Sequence, residues 1–105
     1  MTNTLPTHSG ISKKHLRRIG HHLSPVVTVA SKGLTPGVLS EVERALKDHE
    51  LIKVRLSVGD RSARKDVGQQ LSEQCEAEIV QTIGGIILLF KKANQPDPKL
   101  SNLLR

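Results

Sequence analysis

The chain has 105 residues and a formal net charge of +6, with one cysteine, one phenylalanine and neither tryptophan nor tyrosine. That length bounds a single domain that buries roughly two thirds of the surface exposed by its unfolded chain. One cysteine excludes an intrachain disulfide and fits a reducing, cytoplasmic compartment, and the shortage of aromatic rings excludes modules that stack bases of a single strand on a sheet.

The charge is unevenly spread. Residues 1–40 hold Lys13, Lys14, Arg17, Arg18 and Lys32 against no acid, whereas residues 41–76 hold seven basic and eight acidic side chains and residues 77–105 hold four and two. A one-sign field on the first third attracts polyanions. The opening MTNTLPTHSG lacks the apolar core of a signal peptide, and the longest apolar run, IILLF, falls far short of the ~20 residues that cross a bilayer. No membrane partner is expected.

Residues 1–10 show no periodicity and read as a flexible N-terminus. From an N-cap at Ser12, Leu16, Ile19 and Leu23 recur at helical spacing, which leaves Lys13, Lys14, Arg17, Arg18 and His21 on the opposite arc. Pro25 ends that helix. The β-branched Val26–Val29 reads as a strand. A second helix starts with Thr35 as N-cap and Pro36 at the first position, and buries Val38 or Leu39, Val42, Ala45 and Leu46. Its outer face pairs Glu43 with Lys47 and Arg44 with Asp48.

Leu51 to Val58 alternates, with Ile52, Val54, Leu56 and Val58 on one face and Lys53, Arg55 and Ser57 on the other. Gly59-Asp60 turns the chain into a third helix from about Ser62 to Gln74, along the line Ala63, Val67, Leu71. AEIVQTI, Gly84-Gly85 and IILLF then form a β-hairpin, and the unbroken apolar run of its second strand suits an interior position in a sheet. Residues 94–105, with two prolines, read as a flexible C-terminal tail, so the folded unit spans 11–93. The order α-β-α-β-α-β-β predicts an α/β (α+β) domain: a mixed four-stranded sheet with three helices packed mainly on one face.

The candidate site is the turn Ala30-Ser31-Lys32-Gly33 that leads into the Thr-Pro-Gly helix start. A helix N-terminus carries unpaired N–H groups and partial positive charge, which suit an anion. Gly33 and Gly37 allow close approach to the backbone, and Lys32 adds a full charge. Together with the cations of the first helix these residues read as a phosphate-tracking surface. The competing reading is a solvated turn lysine beside a glycine needed only for positive φ. Neither G-x-x-x-x-G-K-[ST] nor G-x-G-x-x-G is present, so a mononucleotide or other small-molecule substrate is not expected. His21 and His22 are adjacent and share no helix face, and Cys75 lacks a C-x-x-C partner, so no metal and no cofactor is expected. No nucleophile–base pair or carboxylate dyad suggests catalysis.

The run LSPVVTVASKGLTPGVLSEVERALKDHELIKVRL, followed by IGGIILLFKK, resembles the CRM domain (chloroplast RNA splicing and ribosome maturation), and within it the bacterial stand-alone YhbY family. The likeness covers roughly Ser12 to Lys92. It rests on the basic first helix, a P-V-V strand, a K-G-L-T turn, an H-E-L-I-K-V strand and a terminal I-G hairpin. The resemblance implies a fold similar to the C-terminal domain of translation initiation factor three and a non-enzymatic RNA-binding role on large-subunit ribosome precursors, with ribosomal RNA as partner. It also implies a G-x-x-G loop similar to the phosphate-clamping loop of KH domains. Here that loop is Ala30-Ser31-Lys32-Gly33, with alanine where the family has its first glycine. The expected RNA-binding residues are Lys13, Lys14, Arg17, Arg18, Ala30, Ser31, Lys32, Gly33 and Gly37, in a monomer. The alternatives from other classes are an adaptor docking an acidic protein and a DNA-binding protein of similar fold.

Overall fold

Ser12 caps the first helix by accepting a hydrogen bond from the His15 N–H at 3.1 Å, and α1 runs Lys13–Gly20. The computed structural model describes residues 12–103, so the segment expected to be flexible at 1–10 lies outside the described residues. After α1 come β1 (Pro25–Val29), α2 (Pro36–His49), β2 (Leu51–Leu56), α3 (Arg61–Cys75), β3 (Glu78–Ile83) and β4 (Ile86–Phe90). The order matches the sequence reading. Thr35 caps α2 by accepting from the Val38 N–H, and Asp60 caps α3 by accepting from the Ala63 N–H. The third helix therefore begins one residue earlier than its apolar line suggests and ends at Cys75.

The sheet order is β1-β2-β4-β3, with β1 parallel to β2 and the other neighbours antiparallel. β4 lies inside, as its apolar run predicts. Both outer strands carry a bulge, between Pro25 and Val27 in β1 and between Ile79 and Gln81 in β3.

Strand alternation divides the interior in two. On one face Val27, Val29, Ile52, Val54, Leu56, Ile87 and Leu89 meet Val42 and Leu46 of α2 and Leu71 and Cys75 of α3. Gly68 of α3 lies buried there, and a Cβ on it would meet Leu56 Cδ1 and Ile87 at ordinary contact distances of 3.4 and 3.8 Å. The opposite face carries Leu51, Val80, Leu88 and Phe90, all buried under Leu16 of α1. The expected packing mainly on one face holds for α2 and α3, which share a face, while α1 covers the other. The cause is that β2 and β4 are apolar on both faces at one end of the sheet, and that second patch needs its own cover. Replacing Leu16 by alanine would remove about 2–5 kcal/mol.

The C-terminal segment expected as a flexible tail is held in place. Glu50, which is 2 % exposed, accepts from Ser101 Oγ at 2.6 Å and from the Ala93 N–H at 2.8 Å. Asn102 Nδ2 donates to Leu51 O, and Leu103 packs with the α1 cluster. The segment carries no helix or strand over 94–103, and side-chain contacts from outside it, rather than its own periodicity, fix its path.

Candidate nucleic-acid interface

The β1–α2 connection is built around a tight turn. The Gly33 N–H donates to Ala30 O at 2.8 Å, and the Thr35 N–H donates to Gly33 O at 3.0 Å. Gly33 has φ +74°, and a Cβ built on it meets nothing within 4 Å. Glycine is required there by backbone conformation, and the space beside it is open to an incoming group. Ala30 is not among the described residues with positive φ, so alanine sits there without strain. Ala30, Ser31 and Lys32 are exposed, and Gly33 is half-buried. Gly37 is exposed in the first turn of α2, where its backbone is helical and needs no glycine.

α1 presents its cations away from the Leu16 side. Lys13 Nζ lies 3.6 Å from Glu78 Oε2, so its charge is partly shared with a carboxylate, an exposed pair worth little to stability. Lys14, Arg17 and Arg18 are exposed and, among the described residues, have no ion-pair partner. His15, His21 and His22 extend the same polar arc, and His21 is the C-cap.

The structure does not bring α1 and the turn into contact. α1 lies across the β2, β3 and β4 end marked by Leu51 and Phe90, while the turn follows the far end of β1. Between them, on the face that α1 leaves open, lie exposed Thr28, half-buried Lys53 and exposed Arg55. Thr28 and Arg55 are register partners on adjacent strands. The polar side of β2, legible in the alternation, thus lies between the two cationic regions, α1 and the Lys32 turn.

Sequence reasoning missed a third cationic group. The Ser57 N–H donates to Val29 O and the Leu56 N–H to Gly85 O, which sets the β2–α3 loop and the β3–β4 turn beside the end of β1. Arg61, Arg64 and Lys65, at the start of α3, therefore lie at the same sheet end. Their segment has a near-neutral charge balance that masked them, although their i, i+3, i+4 spacing places them on one helical face.

Cys75 is buried, and burial pushes its thiol pKa up, with Glu43 adding to the rise and Lys91 opposing it. Among the described residues no group of three or more His, Cys, Asp or Glu side chains could hold a metal ion, and no helix is long and apolar enough to cross a membrane.

A mixed four-stranded sheet with one helix on one face and two on the other, a glycine turn and a cationic open face define an α+β domain of known type. The CRS1/YhbY (CRM) domain model matches residues 9–91, and the chain belongs to that family. It is 48 % identical over 93 residues to the "Probable RNA-binding protein PA4753" of Pseudomonas aeruginosa, covering 89 % of each chain. It is 40 % identical over 91 residues to a Haemophilus influenzae protein named "RNA-binding protein", covering 87 % of this chain and 92 % of that one. The solution structure of SAV1595 from Staphylococcus aureus superimposes with a TM-score of 0.70 at 26 % identity, covering 79 % of this chain and 86 % of that one.

Proposed function

We propose that the protein binds RNA through phosphate and shape contacts and serves, without catalysing a reaction, in assembly of the large ribosomal subunit. The observation that carries this reading is the run of cations from Lys14, Arg17 and Arg18 on α1, across Lys53 and Arg55, to the Lys32 turn. Phosphate contacts position a strand without reading its sequence, and this surface has no Phe, Tyr or Trp ring on which bases could stack, since the one phenylalanine, Phe90, is buried. Gly33 supports the reading at the turn, where open space lets a phosphate approach the backbone. The names of the family relatives agree with RNA as ligand.

The test is a salt-dependent titration of a structured ribosomal RNA fragment, with duplex DNA of equal length as control, joined to sedimentation of the protein with ribosomal particles. Lys32→Ala should keep the fold and lower the log–log salt slope by about 0.7 to 0.9, the share of one phosphate contact. Gly33→Val should weaken binding further, because a β-branched residue resists positive φ. Unchanged affinity in both variants would remove the turn from the interface. Sedimentation free of large-subunit precursors would remove the assembly role.

A further inference from the structure

The groove between α3 and the β3–β4 hairpin lies outside the run of cations from α1 to the Lys32 turn. It is open, with a volume of about 1260 Å³, and its walls include Arg61, Arg64 and Lys65 on one side and Thr82 and Gly84 on the other, over a floor of Leu56 and Ile87. Asp60 is the acid at its rim, and its Oδ1 already accepts from the Ala63 N–H at 2.9 Å. Among the described residues, no carboxylate lies within ion-pair distance of any of the three cations.

Arg64 is the unusual member. Its Nε is fully shielded from solvent and has no hydrogen-bond partner within the protein, while its Nη1 reaches Gly59 O at a long 3.4 Å. Gly85 lies beside it: a Cβ there would lie 3.7 Å from Arg64 Cδ, and a tight 3.2 Å from Leu56 O. A guanidinium N–H taken from water and left unpaired is costly, and native folds keep few of them. Three cations without a carboxylate partner around one groove suit an oxyanion of a phosphate, which Arg61 and Lys65, both exposed, can meet directly.

We propose that this groove is a second phosphate site, in which Arg61, Arg64 and Lys65 hold the backbone of an RNA strand passing over the sheet end from the Lys32 turn. The inference rests on the RNA-binding reading and extends it to the face opposite α1. The hydrogen bonds from Ser57 N–H to Val29 O and from Leu56 N–H to Gly85 O place the loops that carry the two sites at the same end of the sheet.

The test uses the full chain and single-stranded oligouridylate of about twenty nucleotides, titrated by fluorescence anisotropy over a salt series. The Nε–H resonance of Arg64 is followed by NMR in the same titration. Arg61→Gln/Lys65→Gln changes two exposed side chains and leaves the core intact. It should lower the salt slope by about 1.4 and the affinity at 0.1 M salt roughly twenty-five-fold, the share of two contacts. Arg64→Lys keeps the charge and removes the fork, and should also weaken binding. In the parent the Arg64 Nε–H signal should move on addition of RNA. If Lys32→Ala weakens binding while the groove variants match the parent and the Arg64 signal stays still, the groove site is refuted and the RNA reading stands. If the parent does not bind the oligomer the groove site is refuted, and if it also does not bind the structured ribosomal RNA fragment both fail.

Discussion

Removing the Glu50 carboxylate tests whether residues 94–103 belong to the fold. The two bonds it accepts, from Ser101 Oγ at 2.6 Å and the Ala93 N–H at 2.8 Å, are short and lie where water does not replace them. Hydrogen bonds to a charged group contribute roughly 1.5–3 kcal/mol each. Part of that gain is offset by the cost of holding a carboxylate out of water, so Glu50→Ala should destabilise by about 2–4 kcal/mol. Alanine also inherits the positive φ of 63° at the end of α2, so the strain there is not relieved. With about 4–8 °C per kcal/mol for a domain near this size, the melting temperature followed by circular dichroism should fall by roughly 10–25 °C. Glu50→Gln preserves shape and one acceptor oxygen, and its amide can donate to Ser101 Oγ, so it should cost only about 1 kcal/mol. Limited proteolysis should then cut Glu50→Ala within 94–103 while sparing the parent. If Glu50→Ala melts within 2 °C of the parent, the carboxylate does not anchor the segment and the reasoning is wrong.

Gly20→Ala would improve helix propensity by about 1 kcal/mol, yet its Cβ would lie 2.6 Å from Leu88 Cδ2 in a buried cluster. Overpacking should prevail, so thermal melting should show a loss of stability, and a rise would mean that α1 shifts freely over the sheet. Cys75 should react with iodoacetamide far more slowly than a free thiol at pH 8 until guanidinium unfolds the chain, because burial holds the thiol protonated. Since the folded pKa is the higher one, the unfolded state releases its proton first, and this group withdraws stability as pH rises above the usual thiol range. Labelling of the native protein at the free-thiol rate would contradict the burial.

Much of the architecture could be read from local patterns. The cap residues Ser12 and Thr35, the Leu51–Val58 alternation and the Gly84-Gly85 turn each state their conformation within a few residues. The side of the sheet chosen by α1 could not be read this way. It depends on Leu51, Leu88 and Phe90 falling together at one end of two paired strands, which is a matter of register between distant segments. The tail escaped for the same reason: Ser101 is polar and local rules place it in solvent, yet it is buried against Glu50, 51 residues earlier. At the candidate site, Lys32 and Gly33 stood out because a turn beside a helix start is a local signal. The Arg64 groove did not, since it arises only when Gly85 of the hairpin comes beneath α3.

The bulges in β1 and β3 bear on how copies of the chain meet at high concentration. The two outer strands expose Val26 and Ile83 at 54 % and 64 %, the kind of side chains that favour lateral growth of a sheet. Such growth needs a straight ladder of free N–H and C=O groups, and an extra residue in each edge leaves no run of more than three positions. Pro25 removes one more donor at the start of β1. A strand arriving from a neighbour finds no continuous template on either side, so the same irregularities that bend the edges also guard the protein against fibrous aggregation.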